Sequence, residues 1–187
     1  VQKIKDADFI PSRPLRSYAA VLAISAVITV LLTAAAFGSR GDDWLRWVAG
    51  LEWRLHAPDL SLLAAAPLAV QIHVAGVVTA LLIGIVLMIR VKGTAIHRAL
   101  GWVWVVAMVG AAVASLFIHD LSPDGFSFLH LFSGWTLIAA PMAIAAIRRG
   151  KVRLHARTMT GLFLGGLLFA GLFSFLPGRL MWEMFFG

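Results

Sequence analysis

Cysteine is absent from the 187 residues, which excludes disulfides, zinc knuckles, iron–sulfur ligation, thiol catalysis and haem attached through Cys. Charge is scarce as well. Asp, Glu, Lys and Arg make up 13% of the chain, where a soluble domain carries about 25%. Acidic residues number nine against sixteen basic ones, a formal net charge of +7. Hydrolase and transferase motifs are missing: there is no Gly-x-Ser-x-Gly and no His-Glu-x-x-His. What fills the chain instead is apolar, 60% of the residues, with a mean hydropathy of +0.90. A chain this short has too little interior to hide so much apolar surface. A soluble globular fold is excluded, and an integral membrane protein in contact with the lipid bilayer follows.

A bilayer core of about 30 Å takes roughly 20 apolar residues to cross as a helix. Five uncharged stretches are long enough: Tyr18–Phe37, Leu68–Ile89, Leu100–Ile118, Phe128–Ile147 and Thr158–Leu176. The first reads as a signal-anchor helix, being too long and too poor in a small-residue exit site for a cleaved signal peptide. Gly38, Lys92-Gly93, Pro123-Asp124-Gly125 and Gly150 punctuate the ends. The expected fold is therefore an all-α integral membrane protein of five transmembrane helices. Residues 1–67 hold the N-terminal tail, the first span and a Trp-rich outer connection, and residues 68–187 hold a four-helix bundle. Within that connection Trp44, Trp47, Val48, Leu51 and Leu55 recur at helical spacing, predicting a short amphipathic helix in the membrane surface.

The basic residues are divided unequally between the two sides. Twelve fall in the N-terminal tail and the second and fourth connections, and four (Arg40, Arg46, Arg54, Arg179) on the other side beside seven of the nine acidic residues. The positive-inside rule then puts the N-terminus in the cytoplasm and the C-terminus in the periplasm, which is the topology of a bacterial inner-membrane protein. Spread over three short segments, the basic residues form no nucleic-acid footprint.

The histidines repeat. His73 and His130 are 57 residues apart, and His97 and His155 are 58 apart. Each pair falls at one level of the bundle, because spans two and four run inward and spans three and five run outward. Spans two to five thus read as two repeated helical hairpins, each carrying histidine at matching places. Paired imidazoles on facing helices of a bundle are how haem b is held, with one neutral nitrogen on each face of the iron. A histidine inside a span is expensive and marks function by default. Gly76, Gly134 and Gly101 lie within one turn of His73, His130 and His97, where a flat macrocycle needs small side chains. Close helix packing explains the same glycines without a ligand. From His73 to the inner end of span two is about 24 Å of rise, a long but crossable separation between two haems.

The segments His97-Arg98-Ala-Leu-Gly101, Phe128-Leu-His130-Leu-Phe-Ser133, Arg148-Arg149-Gly150 with His155-Ala-Arg157-Thr-Met159, and Pro177-Gly178-Arg179 resemble the signature set of a bacterial family of predicted membrane proteins, domain of unknown function 2306. The resemblance covers residues 68–187 and implies no activity. Where that family has His-Arg, this chain carries His155 and, two residues on, Arg157. In arrangement, the four histidines also look like those of cytochrome b-561-like proteins, in which the first and third helices of four share one haem and the second and fourth share the other. That likeness implies one or two haems b, held by His73 with His130 and by His97 with His155.

Two readings of function remain open. One is a b-type cytochrome-like electron carrier, with Arg98, Arg153 and Arg157 neutralising haem propionates at the inner side. The alternative is a cofactor-free accessory subunit or assembly factor of a respiratory or photosynthetic complex, working beside other membrane subunits or as a homodimer. A transporter reading is disfavoured because none of the five stretches contains Asp, Glu, Lys or Arg. An outer metal site can be drawn from His56, Asp59, His119 and Asp120, at unremarkable spacing.

Overall fold

The computed structural model describes residue 50 and residues 54–118 and 129–187, and these are helical apart from turns and short irregular connections. The Tyr18–Phe37 span and residues 39–49 and 51–53 of the Trp-rich connection, with Trp44, Trp47, Val48 and Leu51, lie outside them, as do His119 and Asp120. A short helix α1 (Leu60–Ala65) precedes three long ones: α2 (Leu68–Ile89), α3 (Ala95–Ser115) and α4 (His130–Arg148). The last span, Val152–Phe175, starts as α5 (Val152–Gly161) and widens to a π-helix over Leu162–Phe169. It ends in a single turn, α6 (Ala170–Leu172), and a 3₁₀ turn. A terminal helix α7 (Leu180–Phe186) follows.

Local chemistry sets these limits. Thr94 caps α3 by accepting the His97 amide at 3.1 Å, and Asp59 caps α1 by accepting the Ser61 amide at 2.9 Å. The turns that close the two hairpins each place a glycine at positive φ, Gly93 at 81° and Gly150 at 72°, where a Cβ would clash with the backbone. Relative to the stretches read from hydropathy, α3 and α5 begin five and six residues earlier. They take in His97, Arg98, Arg153 and Arg157, because a helix continues past the apolar core of its span into the interface. Pro141 sits inside α4, which a membrane helix tolerates when its neighbours support the backbone.

Among the described residues, four helices are long and apolar enough to cross a membrane, so the chain is a multi-pass membrane protein. They form a closed ring. α2 packs on α3, α3 on α4, α4 on α5 and the π-helix, and the π-helix returns to α2. α2 therefore lies diagonally across from α4, and α3 across from the last span. The centre is filled by Ala80 and Leu87 from α2, Trp104, Val105 and Met108 from α3, Ala139 and Ala140 from α4, and Leu162, Phe163 and Leu167 from the π-helix. Bulky groups of α3 and the π-helix fit against the alanine face of α4. With lipid outside as apolar as the core, such packing rather than water exclusion holds the ring together. The outer surface carries the residues a bilayer needs, among them Leu82, Val106, Ile138 and Met142, each at least 60% exposed.

At one end of the ring α1 docks on α7. The His56 and Asp59 amides donate to the Phe185 and Met184 carbonyls at 3.1 and 2.9 Å. At the other end lie the two glycine turns.

Candidate functional site at the ends of the bundle

The histidines sit at two levels. Toward the α1/α7 end, His73 on α2 is half-buried and its Nδ1 lies 2.9 Å from the Ala111 carbonyl of α3. A carbonyl only accepts, so Nδ1 carries the proton of this bond, and Nε2 is the nitrogen turned away from it. His130 opens α4 at the same end, half-buried with Nε2 enclosed. A hydroxyl bridge joins the two adjacent helices there. Ser115 donates to Ala112 O at 2.8 Å, so its 2.5 Å contact with buried Ser133 has Ser133 as donor. Phe132, Phe169 and Phe173 form a chain of tilted and edge-to-face ring contacts, with centroids 5.6 and 5.3 Å apart.

At the glycine-turn end the second pair is better defined. His155 on α5 holds its Nδ1 3.0 Å from the Ala143 carbonyl of α4, so Nδ1 is the donor there and Nε2 is the nitrogen turned away from it. His97, on the diagonal helix α3, lies within electrostatic reach of His155, Lys92 and Arg98. Its Nδ1 is buried without a hydrogen-bond partner. A buried imidazole nitrogen left unpaired costs about 1–3 kcal/mol, and a ligand is one way to recover it.

The two hydrogen bonds do not follow the repeat read from spacing. The matched residues are His73 with His130 and His97 with His155, yet the helix-to-helix carbonyl bonds belong to His73 and His155. His97 and His155 lie at one end on diagonal helices, within electrostatic reach of each other. The structure puts His73 and His130 on diagonal helices at the other end, with His73 directed to α3.

The glycines divide into two kinds. A Cβ on Gly76 would come within 3.0 Å of Ala107 O and the Ala111 Cβ, and one on Gly84 within 2.5 Å of the Phe163 ring. These two let helices touch, and Ala80 between them is fully buried. At Gly76 it is α3, and at Gly84 the π-helix and Trp104, that occupy the space a side chain would take. Gly101 and Gly134 differ, with nothing within 4 Å of a Cβ placed on either. They stand one turn beyond His97 and His130.

Arg98 is exposed and donates to Gly93 O at 2.9 Å, closing the hairpin turn. Arg157 is exposed on α5, two residues from His155. The outer metal set is taken up structurally in its described half. His56 places Nδ1 2.7 Å from Ala57 O and Nε2 3.0 Å from Gly187 O, and the Asp59 carboxylate accepts from both the amide and hydroxyl of Ser61. Those hydrogen bonds from Ser61, aided by His56, hold the Asp59 carboxyl below its ordinary value. Half-burial lowers the Arg179 guanidinium from its own. Among the described residues no group of three or more His, Asp or Glu gathers around a point. The Ala111 and Ala143 carbonyls that orient the imidazoles were beyond sequence reasoning, since a backbone acceptor has no residue signature.

A family model described as "Predicted membrane protein (DUF2306)" matches residues 70–179, more than half of the chain. No curated protein matches. No solved structure matches either, so the likeness to cytochrome b-561-like proteins rests on histidine placement alone. The chain belongs to the family of predicted membrane proteins that this model describes.

Proposed function

From membership of a family of multi-pass membrane proteins, we propose that this chain is a b-type electron carrier that holds haem b at the ends of its four-helix bundle. The observation that carries the reading is the His97–His155 pair. One ring has a buried nitrogen without a partner, and the other is fixed by Ala143 so that Nε2 is presented. An imidazole tied through its far N–H to a backbone carbonyl is the usual state of a metal-ligating histidine. His73, tied to Ala111, is in the same state at the opposite end, where His130 supplies the second imidazole.

The residues fit such a group at the ends and not in the middle. Trp104, Met108, Leu162 and Phe163 close the midplane, whereas Gly101 and Gly134 leave open the face one turn from their histidines. When bound, haem supplies reversible one-electron chemistry at its iron. The chain's own part is to present four imidazoles, those of His73 and His155 oriented by backbone carbonyls, to exclude water with apolar neighbours, and to set cationic Arg98 and Arg157 where propionates are neutralised. The basic end faces the cytoplasm of a bacterial inner membrane in this reading, with a first span over Tyr18–Phe37 packed outside the bundle.

The test is a pyridine haemochrome assay with protein quantitation after haem-replete expression. One or two haems b per chain are expected. His97→Ala and His155→Ala each abolish the same fraction of haem, and the double variant is scarcely worse than either, since two ligands of one iron act as a unit. A colourless protein defeats the reading. The filled midplane then favours the second one, a cofactor-free accessory subunit of a larger membrane complex.

A further inference from the structure

His56 stands in the connection that leads into α1, and both of its ring nitrogens face acceptors. Nδ1 lies 2.7 Å from Ala57 O and Nε2 3.0 Å from Gly187 O. A carbonyl oxygen has no proton to give. A neutral ring therefore makes one of these two bonds and turns a bare lone pair toward the other oxygen. Only the imidazolium makes both.

The contact with Gly187 joins positions 131 residues apart, and it does not stand alone. The His56 and Asp59 amides donate to the Phe185 and Met184 carbonyls, so residues 56–59 grip the end of α7 by three hydrogen bonds. α7 itself follows the last span through a turn closed by the Arg179 amide on Leu176 O at 3.1 Å. In the docked state Met184 is buried, and Phe185 meets Phe175 with ring centroids 5.9 Å apart.

The charged groups around the ring come from both sides of this contact. On the stretch that carries His56 they are Arg54, which is exposed, and Asp59, which lies within electrostatic reach of the ring. α1 has none. On the α7 side they are Glu183, whose carboxylate lies beside Gly187, and Arg179, half-buried just before the helix. Among the described residues, each partner of the His56–Gly187 bond thus has a carboxylate near it, a setting that attracts a cation.

We propose that residues 56–59 and α7 form a proton-dependent clasp at the end of the ring opposite the glycine turns. With a proton on each ring nitrogen, His56 is oriented by Ala57 and tied to Gly187. Loss of either proton removes one of the two bonds and leaves a lone pair facing an oxygen, so the hold on α7 loosens. The docked state carries one proton more than the released one. By linkage, docking is strongest at low pH and weakens as pH rises through the range in which a histidine becomes neutral. The clasp does not depend on haem.

The experiment is hydrogen exchange of the full chain in neutral detergent micelles at pH 5 and pH 8, with each rate divided by the intrinsic rate at that pH. Asp59 stays ionised across this window. The reporters are the His56 and Asp59 amides, which donate to α7. Their protection should fall by about three- to tenfold from pH 5 to pH 8, the worth of one hydrogen bond at a partly exposed site, while amides in the middle of α2 and α3 stay unchanged. His56→Gln has a side chain that takes up no proton and should abolish the pH response. Asp59→Asn/Glu183→Gln should keep it. Equal protection of the parent chain at the two pH values overturns the proposal, and the parent alone decides if the variants insert poorly. An undiminished response in His56→Gln overturns it by taking the proton off His56. Loss of the response in Asp59→Asn/Glu183→Gln overturns it by placing the proton on a carboxylate.

Discussion

Gly84 is the position where one added methyl group has the most direct consequence. Its ideal Cβ would lie 2.5 and 2.6 Å from two atoms of the Phe163 ring and 2.9 Å from the Trp104 indole nitrogen. Neither neighbour has somewhere to go. Phe163 is 6% exposed and Trp104 3%, and Leu162 beside them is fully enclosed. Overpacking a filled core costs about 1–3 kcal/mol, and contacts this short call for the upper end. Replacing Gly by Ala within a helix returns about 1 kcal/mol. Gly84→Ala should therefore destabilise by about 2 kcal/mol net. At 2–4 °C per kcal/mol for a chain of this size, the apparent Tm falls by about 4–8 °C. Thermal unfolding in detergent at one scan rate, followed by fluorescence of the seven tryptophans, measures it. Gly101→Ala is the paired control: nothing lies within 4 Å of its Cβ, so the apo protein should be unchanged or slightly stabilised. Adding Phe163→Leu to Gly84→Ala should recover part of the loss, a non-additivity expected of residues in contact. A Gly84→Ala protein melting at or above the parent temperature refutes the packing argument.

Other expectations follow from the same structure. If haem occupies the open face beside His97, Gly101→Leu lowers the haemochrome yield while leaving the melting temperature of the apo protein within a degree or two. Ser133→Ala removes a donor whose partner Ser115 retains Ala112 O, so the loss should stay near the 0.6 kcal/mol typical of hydrogen bonds between membrane helices, about 1–2 °C in Tm. The Asp59 carboxyl is held low in the folded state. Its stabilisation of α1 is present above the unfolded value of about 3.9 and is lost as pH falls through the lower folded value. Hydrogen exchange at the Ser61 amide should accelerate at pH 3 relative to pH 6 beyond the intrinsic rate change, and an Asp59→Asn chain should lack that extra step. Reporter fusions after Gly93 and after Gly150 should both report cytoplasm, and a periplasmic signal at either breaks the orientation.

What the sequence determined by itself was the solvent and the coarse architecture. Uncharged stretches of about 20 residues mean spans whatever they pack against, because a backbone in hydrocarbon must satisfy its own hydrogen bonds. Span two, Leu68–Ile89, coincides with α2 for that reason. The glycine turns and the concentration of cations at one end were legible too, being local properties. Tertiary structure decided what depends on neighbours. Gly76 and Gly101 look alike in sequence, each within a turn of a histidine, yet one is pressed against Ala111 and the other faces open space. The orientation of His73 and His155 comes from carbonyls 38 and 12 residues away, which no spacing rule can supply. The π-helix over Leu162–Phe169 was likewise invisible, since apolar residues all around a helix give periodicity nothing to register. Whether a small residue makes room for a ligand or for another helix is settled only by which side chain arrives across the gap, as Phe163 does at Gly84.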